Sequence, residues 1–136
     1  MPIDLVDIYE VAAKSRRTVV IDTHRFHAWV HNYMQPGEHD EMHCHNEDQT
    51  FIVIDGECTM HFPDGGKAVM TPGKMVTITG GSFYRLENSG TKPMIMVGNR
   101  SGSQETVLKI DYITRKAEQV GGRASAARRA EAAATS

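Results

Sequence analysis

Cysteine is scarce in this sequence, whose 136 residues contain only Cys44 and Cys58. Two cysteines without a secretory context more often remain free thiols in a reducing compartment than form a structural disulfide. Long apolar runs are also missing, and the amino terminus, MPIDLVDIYE, has no basic region followed by an apolar core. We therefore expect a cytoplasmic protein without a signal peptide or a membrane-spanning helix.

An excess of positive charge is absent as well. The formal net charge is −2 at pH 7, with 15 basic and 17 acidic side chains, so bulk electrostatics does not favour a nucleic acid as partner. A hydrophobic content of 40% and a charged content of 24% are ordinary for a globular domain. The length suits one domain with a sizeable core.

Short β-branched and aromatic runs dominate the chain from residue 18 to residue 114. Turn signals separate the runs, and three of them are typical of β-hairpins: Asp55-Gly56, Pro63-Asp64-Gly65-Gly66 and Asn88-Ser89-Gly90. No helical pattern lies between these runs. The pattern predicts an all-β domain, an antiparallel sandwich or jelly roll.

The two ends of the chain differ from this middle part. Leu5, Ile8 and Ala12 fall at helical spacing in a segment without Gly or Pro, which predicts a short amphipathic helix over 5–14 with Asp4 as its N-cap. Residues 115–136 are rich in Ala and Arg and have almost no large apolar groups, which predicts a weakly ordered tail. We divide the chain into a helical extension (1–17), a β-barrel (18–114) and a tail (115–136).

The segment from Gly37 to Gly56 carries the strongest functional signal. His43 and His45 lie two apart on an extended stretch, and Gln49 follows just before an apolar run. Alternate side chains of a strand point to the same side, so both imidazoles are expected to face one way. Two imidazoles so arranged inside a barrel suit a divalent metal.

The spacing of these residues resembles that of the cupin superfamily. The first cupin motif is Gly, five residues, His-x-His, three residues, an acid, six residues and Gly, and residues 37–56 follow it with Gln49 at the position of the acid. The second motif is Gly, five residues, Pro-x-Gly, two residues, His, three residues and Asn. Residues 73–88 follow it with Thr79 for the proline and Tyr84 for the histidine. The resemblance implies a single-domain cupin, a jelly roll or double-stranded β-helix barrel, that forms a homodimer.

The resemblance also implies a metal site with altered ligands. His43, His45, Gln49 and Tyr84 occupy the ligand positions of the family, so we expect them to hold a divalent transition metal such as Fe, Mn, Zn or Ni. A neutral amide in place of a carboxylate leaves the charge of the metal less neutralised, which strengthens its Lewis acidity. Three roles stay open for Tyr84: a fourth ligand, a general acid or base beside the metal, or a core aromatic that fills the space.

Three functions remain compatible with these residues. The leading one is a metal-dependent enzyme that performs lyase or isomerase chemistry on a small polar substrate with a carboxylate or carbonyl group, with Tyr84 as its catalytic residue. A non-haem metal dioxygenase is an alternative, because three-histidine cupin dioxygenases also lack a carboxylate ligand. A non-catalytic ligand-binding or sensor cupin is the third, and the altered second motif favours it.

The predicted strand at residues 26–34 has an unusual polar aromatic face. By strand alternation, one side carries His27, Trp29, His31 and Tyr33, and the other carries Phe26, Ala28, Val30 and Met34. The first set either lines the barrel cavity or packs on a second subunit. Because the second set looks like ordinary core, we expect the first set at an interface or against solvent, with a further role as metal ligand open for His31.

Charged residues surround the first motif. The acidic loop is expected to be a solvated face, from which Glu41 or Glu47 could reach the site as a base, and its members are Glu38, His39, Asp40, Glu41, Glu47 and Asp48. Cys44 lies between the two histidines and should point away from the metal. Arg25 and Arg85 are candidates for binding a substrate carboxylate.

Overall fold

The computed structural model of the protein describes residues 3–32 and 35–119. This part of the chain forms one helix followed by eleven strands. Their bounds are α1 Ile8–Lys14, β1 Arg17–Asp22, β2 Phe26–His31, β3 His43–His45, β4 Gln49–Asp55, β5 Cys58–His61, β6 Lys67–Met70, β7 Met75–Ile78, β8 Arg85–Asn88, β9 Ile95–Ser101, β10 Leu108–Asp111 and β11 Ala117–Gln119.

The amino-terminal helix is shorter than predicted. It begins at Ile8 because Asp7 has extended backbone and its carboxylate accepts a hydrogen bond from the backbone N–H of Glu10 at 3.0 Å. The prediction of Asp4 as N-cap was wrong, and Leu5 lies outside the helix, fully exposed. Ala12 is buried as expected, and α1 packs on β1 and β2.

Five strands form the first wall of the barrel, in the order β1-β2-β9-β4-β7 with antiparallel neighbours. Gly98 of β9 is the cross-strand partner of Trp29 of β2. A Cβ atom at Gly98 would lie 2.4 Å from the Trp29 indole, so the absence of a side chain lets the indole lie directly on the β9 backbone. This close contact places Trp29 inside the barrel.

The second wall consists of two three-stranded sheets, β6-β5-β8 and β11-β10-β3. An isolated bridge joins them where the backbones of His43 and Tyr84 exchange two hydrogen bonds of 2.9 Å. β11 lies in the segment that the sequence assigned to the tail, so the sheet extends to Gln119. The remainder of the predicted tail, residues 120–136, lies outside the described residues.

The turn signals have different roles from one place to the next. Pro63-Asp64-Gly65-Gly66 closes the β5–β6 hairpin as predicted, with Gly65 at a φ of 88°. Asp55-Gly56 instead connects β4 of the first wall to β5 of the second, and Asn88-Ser89-Gly90 leads from β8 of the second wall towards β9 of the first. The hairpin interpretation of these two turns was wrong, because a turn signal reports a reversal of direction and not which strands pair.

The apolar core fills the space between the two walls. Its buried members are Trp29, Phe51, Val53, Cys58, Met60, Met70, Tyr84, Leu86, Met94 and Met96. The fold is all-β apart from α1, so the prediction of a jelly roll with a short amino-terminal helix is confirmed. Among the described residues, no helix is long and apolar enough to span a membrane.

Candidate metal and ligand site

A cavity of about 660 Å³ lies between the two walls of the barrel. Both walls contribute polar and aromatic side chains to it. Its lining consists of Arg16, Arg17, Trp29, His31, Asp40, His43, His45, Phe51, Tyr84, Leu86, Arg100 and Lys109. The cavity therefore contains the two histidines and the tyrosine that the sequence singled out.

His43 and His45 project from β3 of the second wall, and both are buried with 5% of their surface exposed. Their ring centroids lie 4.9 Å apart with the planes nearly perpendicular. Burial lowers the pKa of His43 to about 4, and burial together with the nearby Arg100 guanidinium lowers the pKa of His45 further. Both rings are thus neutral at pH 7, which is the form that binds metals.

A contact with the backbone determines which nitrogen of the His43 ring carries the hydrogen. Its Nδ1 atom lies 2.6 Å from the carbonyl oxygen of Glu41, so Nδ1 carries the hydrogen and donates it, and Nε2 keeps its lone pair. A histidine that ligates a metal typically uses its other N–H in this way.

Gln49 and Tyr84 are joined by a chain of buried hydrogen bonds that starts at Arg100. The Nε–H group of Arg100 donates to Oε1 of Gln49 at 2.9 Å, and Nε2 of Gln49 donates to the hydroxyl of Tyr84 at 2.7 Å. The Tyr84 hydroxyl lies 3.3 Å from Nδ1 of His45. Because a guanidinium can only donate, it fixes the orientation of the amide and directs the Gln49 N–H to the phenol oxygen.

Arg100 is held from several sides. One of its terminal nitrogens lies 3.4 Å from Nε2 of His27, whose Nδ1 lies 2.8 Å from the carbonyl oxygen of Gly102. Its Cζ atom lies 4.5 Å from the centroid of the Trp29 ring, a cation–π contact. The guanidinium therefore has one well-defined position at the wall of the cavity.

The polar aromatic face of β2 points into the barrel. His27, Trp29 and His31 are buried, with at most 3% exposed, and Trp29 and His31 line the cavity. Of the two alternatives considered for this face, the cavity lining is correct, and the expected placement at an interface or against solvent was wrong for these residues. Ala28 and Val30 on the opposite face are buried too, since α1 packs on β2. Tyr33 and Met34 lie outside the described residues.

Gly80 and Gly81, within the second motif, hold the loop after β3 close to the loop before β8. The backbone N–H of Gly81 donates to the carbonyl oxygen of His45 at 2.8 Å, and that of Gly80 donates to the Asp48 carboxylate at 2.8 Å. A Cβ atom at Gly80 would lie 2.7 Å from the carbonyl oxygen of Asn46. Only glycine permits this approach, which brings Tyr84 to the two histidines.

Asp40 is a site residue that the sequence interpretation missed. It lines the cavity, its Oδ1 accepts from the Leu86 N–H at 2.7 Å, and its Oδ2 lies 3.9 Å from Nδ1 of His43. Burial raises its pKa to about 7. The prediction that the whole acidic loop is a solvated face was therefore wrong at Asp40. Glu41 reaches the site through its carbonyl oxygen.

The sequence interpretation also missed the cationic residues of the cavity. Arg17, Arg100 and Lys109 line it, whereas Arg25 is exposed and neither Arg25 nor Arg85 belongs to its described lining. Strand alternation offered a signal for Arg100, since it follows the buried Met96 and Gly98 at period two on β9. No local signal distinguished Arg17 or Lys109 from the other basic residues.

The donor set fits a divalent metal at its two imidazoles. His43 offers Nε2. His45 can offer Nε2 with its Nδ1–H directed at the Tyr84 oxygen, since either tautomer satisfies the 3.3 Å contact. Gln49 keeps a second lone pair on the oxygen that accepts from Arg100. Within residues 3–32 and 35–119, no three His, Cys, Asp or Glu side chains gather as a metal cluster, so any further ligand has to be an amide, a phenol, water or substrate.

Comparison with known proteins agrees with this architecture. The family model for the cupin domain matches residues 30–98, about half of the chain, and the protein belongs to this family. Cupins generally bind a transition metal and small molecules. No curated protein matches the sequence.

Several solved structures share the fold. A Klebsiella pneumoniae protein with a double-stranded β-helix domain is 23% identical over 77% of this chain and 95% of its own, with a TM-score of 0.62. KdgF from a Halomonas species is 18% identical over 65% of this chain and 79% of its own (TM-score 0.59). A variant of salicylate 1,2-dioxygenase from Pseudoaminobacter salicylatoxidans is 19% identical over 68% of this chain but only 32% of its own (TM-score 0.59). At these identities the similarity shows the fold alone.

Proposed function

We propose that this cupin is a metal-dependent enzyme that performs lyase or isomerase chemistry on a small polar substrate bearing a carboxylate or carbonyl group. In this proposal His43 and His45 hold a divalent transition metal (Fe, Mn, Zn or Ni), Gln49 supplies a further donor, and Tyr84 is the fourth ligand or the proton carrier beside it. Such a metal, when bound, polarises a carbonyl or carboxylate oxygen of the substrate as a Lewis acid.

The observation that carries the proposal is the directed chain from Arg100 through Gln49 to the hydroxyl of Tyr84. The amide N–H of Gln49 points at the phenol oxygen and polarises its O–H bond. Nδ1 of His45 lies 3.3 Å from the same oxygen. When Nε2 binds the metal, the Nδ1–H group donates to this oxygen and, with Gln49, stabilises the phenolate form of Tyr84. Tyr84 is thus placed to give a proton to, or take one from, a substrate atom in the cavity.

The surroundings of Tyr84 support a role beyond packing. Its ring is 2% exposed and lies among core side chains, which packing alone would explain. Its hydroxyl, however, is held towards His45 and Gln49 and not towards solvent. Any buried hydroxyl needs hydrogen-bond partners, so the support for chemistry comes from where these partners lie, beside the histidines of the cavity.

A non-catalytic ligand-binding cupin is the second candidate. The contacts of Gln49 and Tyr84 with each other and with Arg100 favour it, because they leave the two imidazoles as the only strong metal donors of the predicted set. A non-haem metal dioxygenase is the third candidate, and the fold shared with the salicylate 1,2-dioxygenase variant permits this chemistry without indicating it.

Metal analysis combined with an activity screen tests these alternatives. We expect about one equivalent of a first-row divalent metal per chain in protein purified without added metal or chelator, and loss of this metal in the His43→Ala/His45→Ala double variant with the β-fold retained by circular dichroism. Full metal retention in the double variant would contradict the site assignment. Small carboxylated and carbonyl compounds are then followed by NMR for elimination or isomerisation, with oxygen uptake recorded in parallel to detect a dioxygenase.

A further inference from the structure

The charged side chains that line the cavity indicate the charge of its ligand, which the proposed function leaves open. Four cationic side chains line it (Arg16, Arg17, Arg100 and Lys109), and Asp40 is the one acid of the described lining. Arg16 also lies 3.8 Å from the carboxylate of Glu38 in an exposed ion pair. We place three cations against the ligand: Arg100, Lys109 and Arg17, whose guanidinium also donates to Oε1 of Gln104 at 3.3 Å.

These cations lie on opposite walls. Arg17 of β1 and Arg100 of β9 share the Trp29 indole, with Cζ atoms 5.1 and 4.5 Å from its centroid. Lys109 belongs to β10 of the second wall and is the cross-strand partner of His45. Cross-strand partners project from the same face of a sheet, so the Lys109 ammonium and the His45 ring enter the cavity side by side.

The residues proposed as metal ligands do not offset this positive charge. Two imidazoles and an amide are neutral donors, so a divalent metal adds to the positive charge between the two walls. Asp40 supplies at most one negative charge against these cations, and its carboxylate already accepts a hydrogen bond from the Leu86 N–H. Arg100 is buried whereas Arg17 is exposed, so the cost of holding a cation away from water without an anion applies above all to Arg100.

We propose that the ligand of this cavity is a small organic acid with two anionic groups, one bound by Arg17 and Arg100 beside Trp29 and the other by Lys109 beside His45. The inference rests on the proposed function in that it takes the cavity as the substrate site. Arg100 is held by Gln49, His27 and Trp29 before any ligand arrives. Such preorganisation reduces the entropy lost when the ligand binds.

A matched ligand series provides the test. Malonate, succinate and glutarate are each compared with their monoamides and diamides, which keep the carbon skeleton while the number of charges falls from two to one to zero. Trp29 is the single tryptophan of the chain and lies against both arginines, so its fluorescence reports binding, and isothermal titration calorimetry gives the affinities. Both measurements use the full-length protein as purified and again after dialysis against EDTA.

At least one diacid is expected to bind more tightly than its monoamide by on the order of tenfold, with the diamide weaker again, because each step removes a charged partner from a cation. Lys109→Met and Arg17→Met should each remove most of the preference for the diacid over the monoamide. Lys74→Met and Arg25→Met serve as matched controls, since both residues are exposed and outside the described lining, and they should leave the preference unchanged.

Equal binding of diacids and diamides, absence of binding by every diacid, or a preference that survives Lys109→Met would overturn the inference. The proposed function is tested independently of this inference. Absence of metal from the purified protein would contradict metal-dependent catalysis, yet charge selectivity would still be measured, because titration does not require turnover. Conversely, if the protein contains metal and binds the diamides as tightly as the diacids, only the inference about the charge of the ligand is contradicted.

Discussion

The guanidinium of Arg100 and the amide of Gln49 form the contact that orders the rest of the site. Nε of Arg100 donates to Oε1 of Gln49 at 2.9 Å, and both side chains are buried. Without this contact the amide could present either its oxygen or its nitrogen to Tyr84. With it, the amide nitrogen faces the phenol oxygen. Arg100 on β9 therefore determines which hydrogen bond the Tyr84 hydroxyl receives.

Gln49→Glu should retain the fold and bind metal at least as tightly as the natural protein, because a carboxylate is a stronger oxygen donor than an amide. The same change should lower any elimination or isomerisation activity, since it reduces the Lewis acidity of the metal and removes the N–H that polarises Tyr84. Metal titration and turnover measurements check the two effects. Unchanged values of both would place Gln49 outside the metal site.

Tyr84→Phe should lower activity by about 10²–10⁴-fold if the hydroxyl transfers a proton. The variant should also be less stable, because the Gln49 N–H loses its buried acceptor. We expect the free energy of unfolding to fall by about 1–3 kcal/mol. Chemical denaturation and turnover are measured together. Tyr84→Leu also removes the ring, so loss of activity in the Leu variant with full activity in the Phe variant would assign Tyr84 to packing alone.

Gly98→Ala should destabilise the protein and disturb the cavity wall. A Cβ atom there would lie 2.4 Å from the indole of Trp29, so the ring or the β9 backbone has to move, and overpacking of this kind costs about 1–3 kcal/mol. The fluorescence of Trp29 should change with it. Thr77→Ala, at an exposed position of the same sheet, is the control and should stay within about 0.5 kcal/mol. An unaltered emission spectrum in Gly98→Ala would contradict the packing of Trp29 on β9.

The fold was predictable from the sequence to the level of its architecture. Alternating apolar runs and turn residues indicate an antiparallel β-domain, because period two is a local property of strands. The pairing was not predictable in the same way. The turns at Asp55-Gly56 and Asn88-Ser89-Gly90 look like hairpin turns but lead from one wall to the other, since strand partners are chosen by packing across the whole domain.

The candidate site was predictable only where residues lie close in sequence or follow a known spacing. The spacing selected His43, His45, Gln49 and Tyr84. The structure brings these side chains close through the His43–Tyr84 bridge and the hydrogen bonds of the Tyr84 hydroxyl, and their role as metal ligands stays a prediction. Arg100 and Lys109 were not found, because their presence depends on the registers of β9 and β10 against distant strands. Asp40 was misassigned for a related reason, because its carboxylate is held at the cavity by the backbone N–H of Leu86, which lies far along the chain.

Stability should fall as the pH is lowered from about 6.5 to about 4. The ordinary pKa of histidine is 6.5, whereas burial lowers the pKa of His31 to about 3 and that of His43 to about 4. Between these values the unfolded chain binds protons that the folded protein does not, so acid favours unfolding. Asp40 acts in the opposite direction, because its pKa of about 7 in the folded protein exceeds the ordinary 3.8.

The histidines should outweigh the aspartate, since the pKa of the buried His45 is lowered as well. Thermal unfolding of metal-free protein between pH 4 and 8 measures the balance. His31→Phe should flatten the acid limb, because a phenyl ring can keep the parallel stacking that His31 makes with Phe51 and does not titrate. Asp40→Asn should steepen this limb by removing the opposing group. A melting temperature that is constant from pH 4 to pH 7 in the natural protein, and unaffected by either variant, would show that these side chains do not keep their shifted pKa values in the folded state.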